Sequence, residues 1–230
     1  MTITAFNDNF ILNSLPLKAD LYAVRHAQSV GQVNRSAYIS PGDQLIPLTD
    51  LGHQQAHDKG VELSAKFAGA AKDGTPVTIL HSTCTRATQT AEGIFSSFAG
   101  ATIQADARLD KQKFGLFNGQ FSDAEREAAN PEAYARYKAD LAAFGPFYVR
   151  PPEGESIADV YARNAELVRE IENKPGIYIL VTHGLPHLCI QAFTSGHNEA
   201  WILEREDTIK NCETTHIPSQ ASLQALEHSL

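Results

Sequence analysis

Apolar positions in this chain fall into two kinds of pattern. Two short, nearly continuous runs of aliphatic and β-branched residues, 77–80 and 177–181, each follow turn residues, Asp73-Gly74-Thr75-Pro76 and Pro175-Gly176. Apolarity that is continuous over so short a length marks strands buried on both faces. A third candidate strand covers 20–25. Between these runs, apolar positions recur at helical spacing. One set is Ala56, Gly60, Leu63 and Phe67, with Thr49 upstream as an N-cap; a second is Ala87, Ala91, Ile94 and Phe98. A third is Ile157, Val160, Tyr161, Asn164, Val168 and Ile171, opened by Ser156 and Asp159 in the [ST]-x-x-[DE] spacing of a capping box.

Strands alternating with helices predict an α/β fold, a three-layer α/β/α sandwich with a mostly parallel sheet. In such sheets ligands collect outside the carboxyl ends of the strands, so function is sought there. The segment 111–152 breaks the alternation. Short helical pieces, among them 131–143, lead into Phe144-Gly145-Pro146-Phe147-Tyr148, which reads as an insertion able to form a lid. No linker divides residues 1–230, which are expected to form a single domain, and the polar stretch after Pro218 reads as a loosely held tail.

Composition narrows the function classes. The 19 Lys and Arg against 27 Asp and Glu give a net charge of −8, which argues against a nucleic-acid partner. The 43% hydrophobic and 20% charged residues match ordinary folded chains. A membrane span needs about 20 consecutive apolar residues, and the run 177–181 falls far short. Asp8 occupies the N-terminal stretch where a secretory signal carries basic residues. Cys84, Cys189 and Cys212 include no C-x-x-C pair and are odd in number, which fits reduced thiols in a cytoplasmic protein.

Against the negative total charge, the predicted strand ends carry cationic and imidazole groups. Arg25-His26 follows the first strand, residues 82–86 with Arg86 follow the second, and His183-Gly184 follows the third. In a parallel sheet all three face one cleft, so the ligand is expected to be an anion. Two guanidinium forks can neutralise a phosphoryl group as charge spreads over its oxygens. A neutral imidazole between them, His26, can attack phosphorus if its other ring nitrogen is held. His183 would donate a further hydrogen bond. Arg86 lies near a predicted helix start behind Ser82 and Thr83 as possible N-caps, which adds the helix dipole.

The same residues carry a resemblance. LYAVRHAQSVGQVN resembles the Arg-His-Gly signature of the histidine phosphatase superfamily, the phosphoglycerate-mutase-like proteins. STCTRATQTAEG, PEGESIADVYAR and VTHG resemble three further motifs in the family's order, and PLTDLGHQQA fits another. The resemblance spans about residues 20–215. It is nearest to a small-phosphatase branch whose F-x-Y-R and N-C-E correspond to Phe147-Tyr148-Val149-Arg150 and Asn211-Cys212-Glu213. It implies a phosphoglycerate-mutase-like fold and a phosphomonoester hydrolase that works through phosphohistidine at His26, with Arg25, Arg86 and His183 completing the phosphate pocket. Gln28, Ser29 and Gln32 would line the mouth. The implied partner is a small phosphorylated substrate or inorganic phosphate. No metal or organic cofactor is implied, because the arginines supply the charge.

Several positions depart from the family pattern. Ala27 replaces a glycine, Gln32 an asparagine, and Thr83-Cys84 a Pro-Leu pair. The largest departure is in RLDKQKFG, where Lys111 stands at the position of the proton-donating glutamate. A general acid contributes about 100- to 10,000-fold, most for poor leaving groups. Asp110 is one candidate replacement if its loop shifts; Lys111 itself is another if the nearby arginines depress its pKa. Lys111→Glu is accordingly expected to raise turnover on alkyl phosphates. The alternatives are a phosphoglycerate-type mutase, or a phospholigand-binding or regulatory module that has lost proton transfer.

Other residues have duller readings. His53 and His57 are expected on a wet helix face, not on zinc, and Pro186 is expected to interrupt the turn between His183 and His187. Tyr134, Tyr137, Phe144, Phe147 and Tyr148 either grip substrate or pack the insertion's own core. Arg150 is expected to pair with Glu153 or Glu155, and Glu155 and Asp159 to act as capping or scaffold groups.

Overall fold

The computed structural model describes residues 17–227. Its elements begin with β1 (Ala19–Arg25), α1 (Val30–Val33), α2 (Asp50–Lys66), α3 (Ala68–Lys72), β2 (Val77–His81) and α4 (Thr85–Phe95). They continue with β3 (Thr102–Ala105), α5 (Asp123–Ala129), α6 (Pro131–Phe144), α7 (Ile157–Ile171) and β4 (Gly176–Thr182). Last come α8 (Gly184–Ser195), α9 (Glu199–Leu203), β5 (Thr214–Ile217) and α10 (Gln220–Glu227). Asp8 and the N-terminal stretch it was read from lie outside the described residues.

Side-chain alternation along the central strands builds three layers. Leu21, Leu80 and Leu180 share one cluster with Leu167, Val168, Ile171 and Ile190 of α7 and α8. Tyr22, Val24, Ile79, Ile179 and Val181, one residue out of phase, share the opposite cluster with Leu63, Ala87, Ala91 and Ile94 of α2 and α4. Each strand therefore buries both faces, which is why its sequence reads as a continuous apolar run. The helices that cover the sheet each place one apolar stripe inward. On α2 and α4, Gly60 and Gly93 allow close approach: a Cβ at Gly60 would come within 2.8 Å of the Ile94 carbonyl, and one at Gly93 within 2.7 Å of Ala56 Cβ.

The sheet has five strands in the order β3-β2-β4-β1-β5. β4 pairs in parallel with β1 and β2, β3 pairs in parallel with β2, and β5 runs antiparallel to β1. The α/β sandwich is thus a mixed, mostly parallel sheet. Because β1, β2 and β4 run the same way, Arg25, His81 and Thr182 end at one edge of the sheet, and the next residues of each chain segment meet there.

Thr49 caps α2 by accepting from the Gly52 N–H at 3.0 Å, and Ser156 with Asp159 forms the capping box of α7. Arg150 departs from expectation: it pairs with Asp159, Nη2 to Oδ1 at 2.6 Å, while Glu155 takes Arg163 instead. Asp159, fixed at the helix start, takes both Nε and Nη2 of Arg150 on its two carboxylate oxygens at 2.6 Å. In the segment 111–152, Tyr134 and Tyr137 stand edge-on to Phe117, and Phe147 is buried against the α7 and α8 seam. Phe144 and Tyr148 are 67% and 60% exposed.

The chain beyond Pro218 is not loose through residue 227. It forms α10, and its start is tied to β1: Asp20 accepts from the Ser219 N–H at 2.9 Å and the Ser222 hydroxyl at 2.8 Å, and lies 3.1 Å from His216 Nε2. Burial opposes ionisation of Asp20, but these donors outweigh it and bring its pKa from 3.8 to about 2. A folded-state pKa below the unfolded one stabilises the fold above the unfolded value. That stability is lost as pH falls from about 4 to about 2. Asp20→Asn is expected to cost up to about 2 kcal/mol at neutral pH. Melting curves should show the gap to wild type closing as pH falls through this window; a gap that stays constant would contradict the assignment.

Candidate active site

The chain leaves the sheet at His26 and is pinned there on both sides. The His26 N–H donates to the Thr182 carbonyl at 2.8 Å, and Asn211 Nδ2 donates to the His26 carbonyl at 2.9 Å. His26 Nδ1 lies 2.7 Å from the Ala27 carbonyl. A carbonyl only accepts, so the proton sits on Nδ1 and Nε2 keeps its lone pair. Burial first, then Arg86, Arg25 and Lys111, hold the His26 pKa well below the imidazole value, against the opposing pull of the Ala27 bond. The ring is neutral and its free nitrogen is nucleophilic.

His183 follows β4 and is the N-cap residue of α8. Its ring centroid is 5.1 Å from that of His26, with the planes at 62°. Pro186 does not interrupt this helix. It is the third residue of α8, within the first turn, where no N–H partner is needed. His187, one turn on, is buried and reaches Thr215 Oγ1 at 2.9 Å instead of joining His183.

Arg86 is the second residue of α4 and is 2% exposed. Cys84, not Ser82 or Thr83, is the N-cap, and it makes no side-chain cap. The hydroxyls of Ser82 and Thr83 are engaged with Asp110. The Arg86 guanidinium is held by Asp43: Nη1 donates to its backbone carbonyl at 2.6 Å, and Nη2 lies 2.9 Å from Oδ1. Gly42, at φ +102, turns the chain so that Asp43 can enter. Arg25 donates through Nη1 to the Ile209 carbonyl. Burial lowers its pKa, while Asp207 acts the other way.

These four groups line one cavity of about 250 Å³. Lys111, Tyr38 and Phe114 form part of its wall, and Glu206 and Asp207 part of its rim. Lys111 Nζ is 2.8 Å from Asp43 Oδ2 and sits over the rings of Tyr38 and Phe114 at 4.9 and 5.2 Å. Asp110 faces away from the cavity, and its oxygens accept from Ser82 Oγ, the Thr83 N–H and Thr83 Oγ1 at 2.7 to 2.8 Å. Gln32 reaches the cavity wall and lies 3.1 Å from Asn211 Oδ1. Gln28 is turned to Thr49 at 2.8 Å, and Ser29 is buried. The five aromatics at 134, 137, 144, 147 and 148 are not among the residues lining this cavity. His53 and His57 are exposed on α2. Among the described residues there is no group of three or more His, Cys, Asp or Glu side chains placed to hold a metal ion, and no helix long and apolar enough to cross a membrane.

The family model for the histidine phosphatase superfamily, branch 1, matches residues 21–227, nearly the whole described chain. The chain belongs to the histidine phosphatase superfamily. Phosphoglycerate mutase-like protein AT74 of Arabidopsis thaliana is 31% identical over 180 residues, 70% of this chain and 53% of that protein. The chain spans about half the length of the curated relatives it matches. Among solved structures, the α-ribazole phosphatase of Shigella flexneri superposes with a TM-score of 0.66 at 16% identity, covering 86% of this chain and 90% of that one. A mycobacterial glucosyl-3-phosphoglycerate phosphatase in complex with VO3 gives 0.58 at 23%, with the same coverage. At these identities the likeness is one of fold.

In this member of the histidine phosphatase superfamily, Tyr38, Glu206 and Asp207 join the site without any signal in the local sequence pattern, while Phe114 lies in the RLDKQKFG segment already singled out. They come from loops whose path is set by packing elsewhere. Asp43 has one legible trace: a lone acidic residue beside Pro41-Gly42, in the segment between a strand end and the next helix.

Proposed function

We propose that the chain is a phosphomonoester hydrolase acting through a phosphohistidine at His26. The observation that carries this reading is the free Nε2 of a neutral, buried His26 set among Arg25, Arg86 and His183. In the first step the Nε2 lone pair forms an N–P bond as the ester P–O bond breaks, and the departing alkoxide takes a proton. In the second, water attacks phosphorus, the N–P bond breaks, and phosphate and the original imidazole are released. The guanidinium forks of Arg25 and Arg86 meet the equatorial oxygens as charge grows on them. The 111–152 segment, within a single domain, covers one side of the pocket through Lys111, Gln112 and Phe114. A small phosphate ester as substrate is supported by the solved structures of similar fold described as a glucosyl-3-phosphoglycerate phosphatase and a phosphoserine phosphatase.

Incubation with an activated aryl phosphate and rapid quenching should yield an acid-labile phosphoryl group on His26, and vanadate should compete with substrate. Phosphate release without isomerisation of phosphoglycerate separates the hydrolase from a mutase.

The pair between Lys111 and Asp43 favours a second reading, a phospholigand-binding module with weak proton transfer. Measurable phosphate affinity without a covalent label would select it. The same pair reverses the expectation for Lys111→Glu. Alone, this substitution sets two carboxylates against each other beside Arg86 and is expected to lower turnover. Combined with Asp43→Asn it places one carboxylic acid beside the leaving group, and turnover on alkyl phosphates should rise about tenfold or more above wild type. Equal rates for the double variant and wild type would count against a missing acid.

A further inference from the structure

His183 has one ring nitrogen committed and one left over. Nε2 lies 2.9 Å from Ser82 Oγ, and Ser82 Oγ donates to Asp110 Oδ1 at 2.8 Å. Nδ1 is buried and has no hydrogen-bond partner. Asp110 is fixed by the Thr83 N–H at 2.7 Å and by Thr83 Oγ1 at 2.8 Å. An unprotonated carboxylate can only accept, and a serine hydroxyl has one proton. With that proton directed to Asp110, Nε2–H must be the donor to Ser82. A neutral His183 then presents a bare lone pair at Nδ1, the only ring nitrogen it has left for an anion. Lone pair against phosphoryl oxygen is repulsive.

We propose that Asp110, acting through Ser82, lets His183 take a proton at Nδ1 when a phosphate group binds, so that an imidazolium meets the anion. This rests on the phosphate-pocket reading above and adds to it two positioning residues, Ser82 and Asp110. The proton balance is closed by the ligand. A phosphate monoanion enters, its proton passes to Nδ1, and the resulting dianion accepts the Nδ1–H bond. The new charge on His183 is offset by Asp110 two hydrogen bonds away, as an orienting carboxylate offsets the imidazolium of a catalytic triad. Arg86, His26, Lys111 and Arg163 all face His183 and oppose its charging, and burial opposes it more strongly still. Arg25 adds to them from the cavity wall, and Glu206 and Asp207 stand at the rim. Asp110 is the carboxylate joined to the ring by hydrogen bonds. Lys111 next to it in sequence points the other way, to Asp43. The sequence KQ after Asp110 thus splits neighbouring charges between the two sides of the pocket.

The test uses the full chain with inorganic phosphate as the probe. Calorimetric titrations across neutral pH compare wild type with Asp110→Asn, Asp110→Glu, Ser82→Ala and the double variant. Nitrogen-detected NMR of histidine-labelled wild type, with and without phosphate, reads the ring protons of His183 directly. Expected are both ring nitrogens protonated in the phosphate complex and about tenfold weaker phosphate binding in Asp110→Asn and in Ser82→Ala. The double variant should be no weaker than either, the pH limit of binding should move down, and Asp110→Glu should recover part of the loss. Phosphate affinity of Asp110→Asn within twofold of wild type, or a neutral His183 in the wild-type complex, overturns the relay. The NMR result decides by itself if a variant does not fold. Absence of phosphate binding in wild type overturns the pocket as well, whereas normal binding with an unaltered Asp110→Asn overturns the relay only.

Discussion

His26→Ala is expected to remove the covalent intermediate altogether and to lower turnover at least about 1000-fold. The size follows from what remains. Arg25, Arg86 and His183 stay in place, because the backbone at position 26 is held by Thr182 and Asn211 and not by the imidazole. On the proposed reading they would still bind and polarise a phosphate ester, but no imidazole nitrogen at position 26 would remain to attack it. Inorganic phosphate should therefore bind the variant within several-fold of wild type while burst kinetics and the acid-labile label disappear. The Nδ1 bond to Ala27 makes the contrast sharp: it fixes the tautomer, so the nucleophile is present in every molecule. A label that survives in His26→Ala would move the reaction to another residue and end this mechanism.

Arg86→Ala is expected to act on binding, rate and stability together. Arg86 is almost wholly buried, and of the charged groups it acts most strongly on both His26 and His183, lowering the pKa of each after burial itself. On the proposed reading its removal takes a guanidinium donor from the phosphoryl oxygens, and it leaves Asp43 with Lys111 as its ion-pair partner. The cost to kcat/KM should be about 1000-fold, in line with the loss of a preorganised donor from an anion site. Stability should fall by about 3 kcal/mol, since truncating a buried side chain opens a cavity and leaves Asp43 only Lys111 to offset its charge. Asp43→Asn in the Arg86→Ala background should recover part of that stability and none of the rate, which calorimetry and steady-state kinetics resolve. Arg86→Lys keeps the charge but loses the fork, so it should recover only a minor share of the rate. Near-normal kcat/KM in Arg86→Ala would remove Arg86 from the site.

Much of this arrangement is legible along the chain. The runs at 20–25, 77–80 and 177–181 are the three central strands, and the helices at 50–66, 85–95 and 157–171 bury the apolar stripes their spacing shows. The edge strands β3 and β5 are not legible because each is four residues long and carries no continuous apolar run: β3 is mostly exposed, and only Ile217 of β5 is buried. The helix α8 was obscured by Pro186, and α10 by its polar composition.

What amino-acid order alone determined was the set of strand ends, and with them Arg25, His26, Arg86 and His183 at one edge of the sheet. A parallel sheet with buried strands leaves those ends no other place to go, since burial is encoded residue by residue and strand direction follows from the alternation with helices. Tertiary structure alone decided how the charges pair: Asp43 on Arg86 and Lys111, Asp110 behind His183 through Ser82, Arg150 on Asp159. Most of these pairs join segments dozens of residues apart, as in the 43-residue separation of Arg86 and Asp43, and even Arg150 and Asp159 are nine residues apart. Their partners are chosen by a few ångströms of loop path, for which no periodicity of the chain carries a record.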